Sequence, residues 1–352
     1  MQTKNNHLVI MAGGVGSRFW PMSNEDRPKQ FLDILGKGRT LIQLTLDRFA
    51  ELIPIENVWV VTGERYADIT REQLPEIPES NILLEPCRRN TAPCICYVSW
   101  KIKKLNPMAN IVVTPADHYV EDIKSFKEAV GEAMEFTAET DAIVTLGVKP
   151  THPETGYGYI KADLAFSSSR KKHVFRVDGF KEKPDLKTAE AYISEPNYLW
   201  NSGIFVWSVS TIVNAFRVYQ PTMSKGFEAL AKVFGTAEER KAINAFYEKC
   251  ESISVDYAIM ENAEEVFVRP IDVGWSDLGT WGSLLKQSPH DDHGNALIGK
   301  DVAVFDTQNC IIHTTENKRV VVQGLDGYIV AEKDGVLMIC KLSEEQRIKL
   351  FH

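Results

Sequence analysis

No apolar run in the 352-residue chain approaches the roughly 18 residues a membrane-spanning helix needs, which excludes such a span. The opening residues, MQTKNNHLVI, are too polar for a secretory leader, so the expected compartment is the cytoplasm. Basic charge is in deficit: 40 Lys and Arg against 48 Asp and Glu give a formal charge of -8. That balance supplies no general field for nucleic acid, and a small anionic ligand would need placed local cations instead. The one compact basic run, Arg170-Lys171-Lys172-His173, reads as a solvated turn between strands. Cysteine is sparse, six residues with no CxxC pair and no metal-finger spacing, so reduced and mostly buried thiols are expected. Cys94 and Cys96 fall two residues apart on one helix pattern and do not face each other, which argues against a shared metal. A strict internal repeat is also missing.

What is present is an alternation of apolar runs and amphipathic segments, the pattern of an α/β fold with a mixed, mostly parallel sheet of Rossmann-like type. Strands are expected at 8–11, 58–62, 81–84, 111–114 and 142–147, all rich in β-branched residues. Helices are expected at Thr40 to Ile53, with a capping box in TLIQ, at Thr91 to about Leu105 capped by Asn90, and near 123–138. After residue 150 the runs shorten (GYGYI, VFRVDGF, SGIFVW), as for an insertion or second lobe beside the first sheet. Beyond about 288 short β runs alternate with polar turns. The expected domains are therefore 1–287, catalytic, and 288–352, a small β-rich unit.

The stretch HLVIMAGGVGSRFWPMS, residues 7–23, looks at first like a nucleotide loop. A Rossmann fingerprint starting at Gly14 would need glycine where Phe19 stands, and a Walker loop would need Gly-Lys-Ser/Thr where Gly16-Ser17-Arg18 stands. Both matches fail. A strand ending in Gly13, Gly14 and Gly16 remains, a turn in which backbone N–H groups converge on an anion at the carboxyl edge of a parallel sheet. Arg18, and Lys29 in RPKQF, add fixed positive charge for phosphates. Asp117 follows the strand IVVT directly and puts a hard carboxylate at the same edge, suited to Mg²⁺.

The string GGVGSRFWPMS followed by PKQF resembles the signature of the sugar-nucleotide pyrophosphorylases, in the Trp-Pro and Lys-Gln-Phe form of the mannose-1-phosphate guanylyltransferases among them. EPCRRNTAP, TPADH, TGYGYI, FKEKP, WNSGIF and DVGWSDLGTW agree in order, so the resemblance runs along essentially the whole chain. It implies a nucleotidyltransferase fold with a β-helix-like C-terminal extension, and GMP transfer from GTP to mannose 1-phosphate with Mg²⁺, giving GDP-mannose and pyrophosphate. Such chemistry needs no protein nucleophile, only alignment of two polyanions and neutralised charge. By resemblance the catalytic residues are Arg18, Lys29 and Asp117, and Asp277 joins Asp117 on the metal. Glu85 reads the base, because a carboxylate accepts from both guanine N1–H and the exocyclic amine, whereas adenine presents an acceptor. Asn90 and Thr91 line the same pocket, with backbone from Ala12 and Gly13. Glu182 takes sugar hydroxyls, Lys183 the phosphate, Asn201 adds an amide and Gly158 a close backbone approach. The tail resembles an extension that supports dimerisation, so a homodimer is expected, without nucleic acid or membrane. Long members carry a further isomerase domain, and isomerase activity is not expected here. His118 stays unassigned.

Three rival readings stand beside this one. Another hexose 1-phosphate or nucleotide is the strongest rival, since Glu182 and Asn201 alone do not specify mannose, and Glu85 and the Trp20-Pro21 form weigh against it. A catalytically silent nucleotide-sugar sensor is disfavoured by the presence of Arg18, Lys29, Asp117 and Asp277. The failed glycine fingerprint argues against a dehydrogenase.

Overall fold

The computed structural model describes residues 4–14, 16–167, 173–315 and 318–351. The basic residues Arg170, Lys171 and Lys172 lie outside them. His173, the last of that run, faces Glu132 at 3.5 Å.

The chain forms two compact units. The first comprises residues up to Gly13, Leu46–Pro115 and Val120–Trp275. Its centre is a nine-stranded sheet built from β1 (Asn6–Ala12), β2 (Val58–Gly63), β3 (Ile82–Glu85), β4 (Asn110–Pro115), β5 (Ile143–Val148), β6 (Tyr159–Ser167), β7 (Phe175–Lys181), β8 (Tyr198–Ser208) and β9 (Val266–Ile271). The order is β3-β2-β1-β4-β8-β5-β9-β7-β6. Strands β3, β2, β1 and β4 run parallel, and β8 lies antiparallel between β4 and β5. Strands β2, β4 and β5 are buried almost throughout, as expected for apolar runs covered on both faces. The segment after residue 150, expected as an insertion or second lobe beside the first sheet, supplies β6, β7 and β8 to that same sheet. Its pairings, such as Val112 with Val206, span too much sequence for local periodicity to reveal them.

Of the helices α1 (Leu41–Phe49), α2 (Ala67–Gln73), α3 (Thr91–Leu105), α4 (Ile123–Ala138), α5 (Leu186–Ile193), α6 (Val209–Tyr219), α7 (Pro221–Leu230), α8 (Glu239–Tyr247) and α9 (Trp281–Gln287), α3 and α4 match their sequence expectations. Asn90 caps α3 by accepting from the Thr91 amide at 2.9 Å. Helix α1 stops at Phe49, earlier than its apolar spacing suggests, where Glu51 turns left-handed at φ 73°. Helix α3 packs on α6 and α7, and Trp59, Tyr97, Trp207, Phe216, Phe227 and Tyr247 fill the core between sheet and helices.

The second unit comprises Gly14–Thr45, Ala116–Tyr119 and the chain from Ser276 onward. In it β10 (Ala296–Ile298), β12 (Ile311–Thr314) and β14 (Tyr328–Lys333) stack in parallel, β15 (Val336–Lys341) closes that sheet antiparallel, and β11 (Asp301–Phe305) pairs in parallel with β13 (Arg319–Gln323). These are successive β-helical turns. The spacing from Ala296 to Ile311 differs from that between Ile311 and Ile329, so no strict repeat shows in the sequence. Ala296, Ile311, Ile329, Ala331 and Met338 share one core with Phe19, Met22, Ile34, Leu35 and Trp281. The β-helical tail and the segment after the glycine turn thus bury a common apolar face.

Candidate active site

In the second unit the buried ammonium of Lys29 is the organising charge. Lys29 is 3% exposed, and its Nζ pairs with Asp117 Oδ2 at 2.9 Å and donates to the carbonyls of Asp277 at 2.8 Å and Leu278 at 3.0 Å. Leu278, left-handed at φ 44°, belongs to a turn that brings both carbonyls to one cation. A reciprocal pair of backbone bonds between Tyr119 and Ser276, at 2.8 and 3.1 Å, lays the two aspartate segments side by side. Thr45 adds a hydroxyl bond to the Ala116 carbonyl at 3.2 Å. Burial alone would raise the Asp117 carboxyl, but the Lys29 charge, helped by His118 at 3.9 Å, outweighs it and holds the group below the usual range. Asp117 is therefore an anion wherever the protein is folded near neutrality.

Gly16 sits against Lys29: it has φ 65°, and a Cβ there would lie 2.6 Å from the Lys29 Cβ. Gln30 fixes the turn by donating to the Gly14 carbonyl at 3.0 Å, and Ser23 caps the Gly16 carbonyl. At Gly14, by contrast, a Cβ would meet nothing within 4 Å, so that backbone faces open space. Arg18 is exposed and donates to the Gly279 carbonyl at 3.3 Å. The structure thus brings Gly16, Arg18, Lys29, Asp117 and Asp277 together. Lys29 reaches a ligand through its field and through Asp117, because its three donors are occupied.

No group of three or more His, Cys, Asp or Glu able to cage a metal exists among the described residues. Mg²⁺ does not require one, since it is commonly held by one or two carboxylates with phosphate and water oxygens completing the shell. Asp117 supplies one such carboxylate; the Lys29 ammonium that pairs with it also holds the Asp277 backbone carbonyl, and the Asp277 carboxylate itself accepts from the Gly279 amide at 2.8 Å, a second oxygen donor of the kind Mg²⁺ takes.

The first unit holds the remaining candidates in two groups. Gly13, Tyr66, Glu85, Pro86, Cys87 and Arg88 are among the residues lining a small cavity of about 130 Å³. Glu85, at the end of β3, is buried and accepts a hydrogen bond from the Tyr247 hydroxyl at 3.0 Å. Burial raises its carboxyl to about 7, and the Tyr247 bond only partly opposes this. Ala12 ends β1, and a Cβ at Gly13 would meet nothing within 4 Å. Asn90 and Thr91 are outside the cavity lining. Asn90 caps α3, and the Thr91 hydroxyl accepts from the Val255 amide at 2.9 Å.

The second group joins Gly158, Glu182, Lys183 and Asn201, as the sequence led one to expect. A Cβ on Gly158 would stand 2.5 Å from Glu182 Oε2 and 3.3 Å from the Asn201 Cβ, so any larger residue would displace the Glu182 carboxylate. Lys183 Nζ donates to Glu182 Oε1 at 2.5 Å. Burial lowers that ammonium, but the Glu182 bond and charge reverse the effect and raise it. Asn201 is locked: Oδ1 accepts from the Thr145 hydroxyl at 3.1 Å and the Gly203 amide at 3.2 Å, and Nδ2 donates to Asp256 Oδ1 at 2.9 Å. One of the two N–H groups of the amide is thus committed to Asp256. Asp256 opens a π-helical turn, Asp256–Met260, and its carboxyl is raised to about 6, by burial first and then by Glu182. Sequence reasoning missed Asp256, Thr145 and Tyr247. Nothing local marks them, since each acquires its role through contact with a residue far away in the chain.

The family model for nucleotidyl transferases matches residues 7–294. A curated mannose-1-phosphate guanylyltransferase of Escherichia coli is 36% identical over 97% of this chain and 74% of its own length. The xanthan biosynthesis protein XanB of Xanthomonas campestris is 35% identical over 97% of this chain and 71% of its own length. Among solved structures, one described as mannose-1-phosphate geranyltransferase from Thermus thermophilus superposes with a TM-score of 0.86 at 33% identity. The match covers 99% of this chain and 98% of that one.

Proposed function

This chain belongs to the nucleotidyl transferase family, and from that premise we propose that it transfers GMP from GTP to mannose 1-phosphate, releasing pyrophosphate and GDP-mannose. The observation that carries the base assignment is Glu85: a buried carboxylate, with no cation pairing it among the described residues, lines a cavity beside Gly13. Guanine offers two adjacent N–H donors to such a group, and adenine does not.

The reaction is an in-line attack of the sugar phosphate oxygen on the α-phosphorus. The attacking oxygen is already anionic, so no general base is required and His118 needs no role in proton transfer. Backbone at Gly13 and Gly14 admits a phosphate closely, Arg18 contributes its exposed guanidinium, and Lys29 keeps Asp117 ionised. Asp117 and Asp277 would hold Mg²⁺, which when bound neutralises charge on the phosphates. Glu182 and the Asn201 N–H read sugar hydroxyls, Lys183 takes the sugar phosphate, and Asp256 with Thr145 keeps Asn201 in its donating orientation.

No helix among the described residues is long and apolar enough to cross a membrane. A cytoplasmic location is supported by six free thiols, five of them buried. A homodimer through the tail is supported by Leu337 and Ile339, exposed on the closing strand β15.

The test is pyrophosphate release from GTP and mannose 1-phosphate across a Mg²⁺ titration. Asp117→Asn should lower turnover at least about a hundredfold while the protein stays folded. A variant that matches the wild type at every Mg²⁺ concentration would remove Asp117 from the metal site.

A further inference from the structure

Residues Glu85, Cys87 and Arg89, at the end of β3 and across the bend that follows it, all contact the same residue at the end of α8. Glu85 accepts from the Tyr247 hydroxyl at 3.0 Å. Cys87 Sγ lies 3.8 Å from the Tyr247 carbonyl, and Arg89 Nε donates to that oxygen at 2.8 Å. Arg89 Nη2 then reaches the Glu248 carbonyl at 2.9 Å. Tyr247 has nowhere to move: it is fully buried, edge-on to Tyr97 at 6.4 Å and to Phe227 at 6.0 Å. A rigid phenol therefore stands behind the carboxylate that lines the base cavity.

We propose that Tyr247 is a positioning residue for base recognition, its hydroxyl fixing the rotation of the Glu85 carboxylate so that both oxygens are presented to the two donor groups of guanine. This rests on the guanylyl-transfer reading above. A carboxylate free to rotate would lose freedom on each binding event, whereas one already clamped does not. The hydroxyl also stabilises the ionised form. Cys94 and Tyr97 from α3 and Cys250 after α8 also face this carboxyl, all three neutral and raised by burial, and Glu64, Arg65 and Arg88 line the same cavity. Tyr247 is the hydrogen-bond donor that favours the Glu85 anion.

The experiment is Tyr247→Phe, which removes one oxygen and keeps the ring packing, assayed by steady-state kinetics on the full chain over a range of pH. The KM for GTP should rise about tenfold, the KM for mannose 1-phosphate should stay within about twofold, and the preference for GTP over ITP should narrow. ITP is the informative probe because inosine lacks the exocyclic amine. The acid limb of kcat/KM for GTP should move to higher pH, which a loss of packing alone would not produce. Placed in a Glu85→Gln background, Tyr247→Phe should have no further effect on the GTP KM. An unchanged GTP KM and an unmoved limb in a folded variant would overturn the assignment alone. A wild type that turns over no guanine nucleotide would overturn the reading beneath it and the assignment with it.

Discussion

Glu85 is the clearest case of a single residue whose environment sets its work. Burial without a cation lifts its carboxyl from the ordinary range to about 7, so near neutrality a substantial share of free protein carries the neutral acid. Guanine needs the anion, which accepts from two N–H groups. The sign follows: kcat/KM for GTP should fall as pH drops through about 7, by about tenfold per pH unit once the acid form dominates. Glu85→Gln should flatten that limb and weaken discrimination against ITP. A limb that persists unchanged in Glu85→Gln would assign it to another group. At this scale much was legible in the sequence, because residue types announce chemistry: Gly158, Glu182, Lys183 and Asn201 do meet, and Lys29 does meet Asp117. The occupation of Lys29 by two carbonyls was not legible, since a left-handed Leu278 has no signature in composition.

Among the elements, apolar runs of β-branched residues gave the parallel strands β1 to β5, and helical spacing gave α3 and α4. Both signals are local. Strands β6 to β8 were visible as runs but not as partners, because antiparallel insertion of β8 between β4 and β5 is decided by packing across the sheet. The same limit hid the shared core of the tail. Ile311 in β12 lies within it, and so do Phe19 and Met22, which flank Trp20 and Pro21 in the signature stretch. Two polar ties reinforce that packing: Lys333 donates to the Met22 carbonyl at 2.5 Å, and His313 Nε2 meets the Ile34 carbonyl at 3.1 Å. Trp20 itself is partly buried against this core. Ile311→Ala should destabilise the second unit by about 2–5 kcal/mol through the cavity it leaves. Turnover should then be lost at a lower temperature than in the wild type, as followed by a thermal-inactivation series beside circular dichroism. Wild-type inactivation in a folded Ile311→Ala protein would separate the tail from the phosphate turn.

For the whole molecule, the two units divide the chemistry as well as the contacts. The first carries the groups proposed for base and sugar, Glu85 with Tyr247, and Glu182, Lys183, Asn201 and Asp256. The second carries Arg18, Lys29, Asp117 and Asp277. On the proposed reading an acidic chain handles polyanionic substrates with a few placed cations, without a general basic surface. The central claim is the identity of the product, and mass-spectrometric product analysis tests it most directly, with four nucleoside triphosphates crossed against mannose, glucose and galactose 1-phosphates in the presence of Mg²⁺. The account predicts GDP-mannose as the dominant product, with stoichiometric pyrophosphate; a dominant UDP-, ADP- or CDP-sugar, or no nucleotide sugar from any pair, would contradict it.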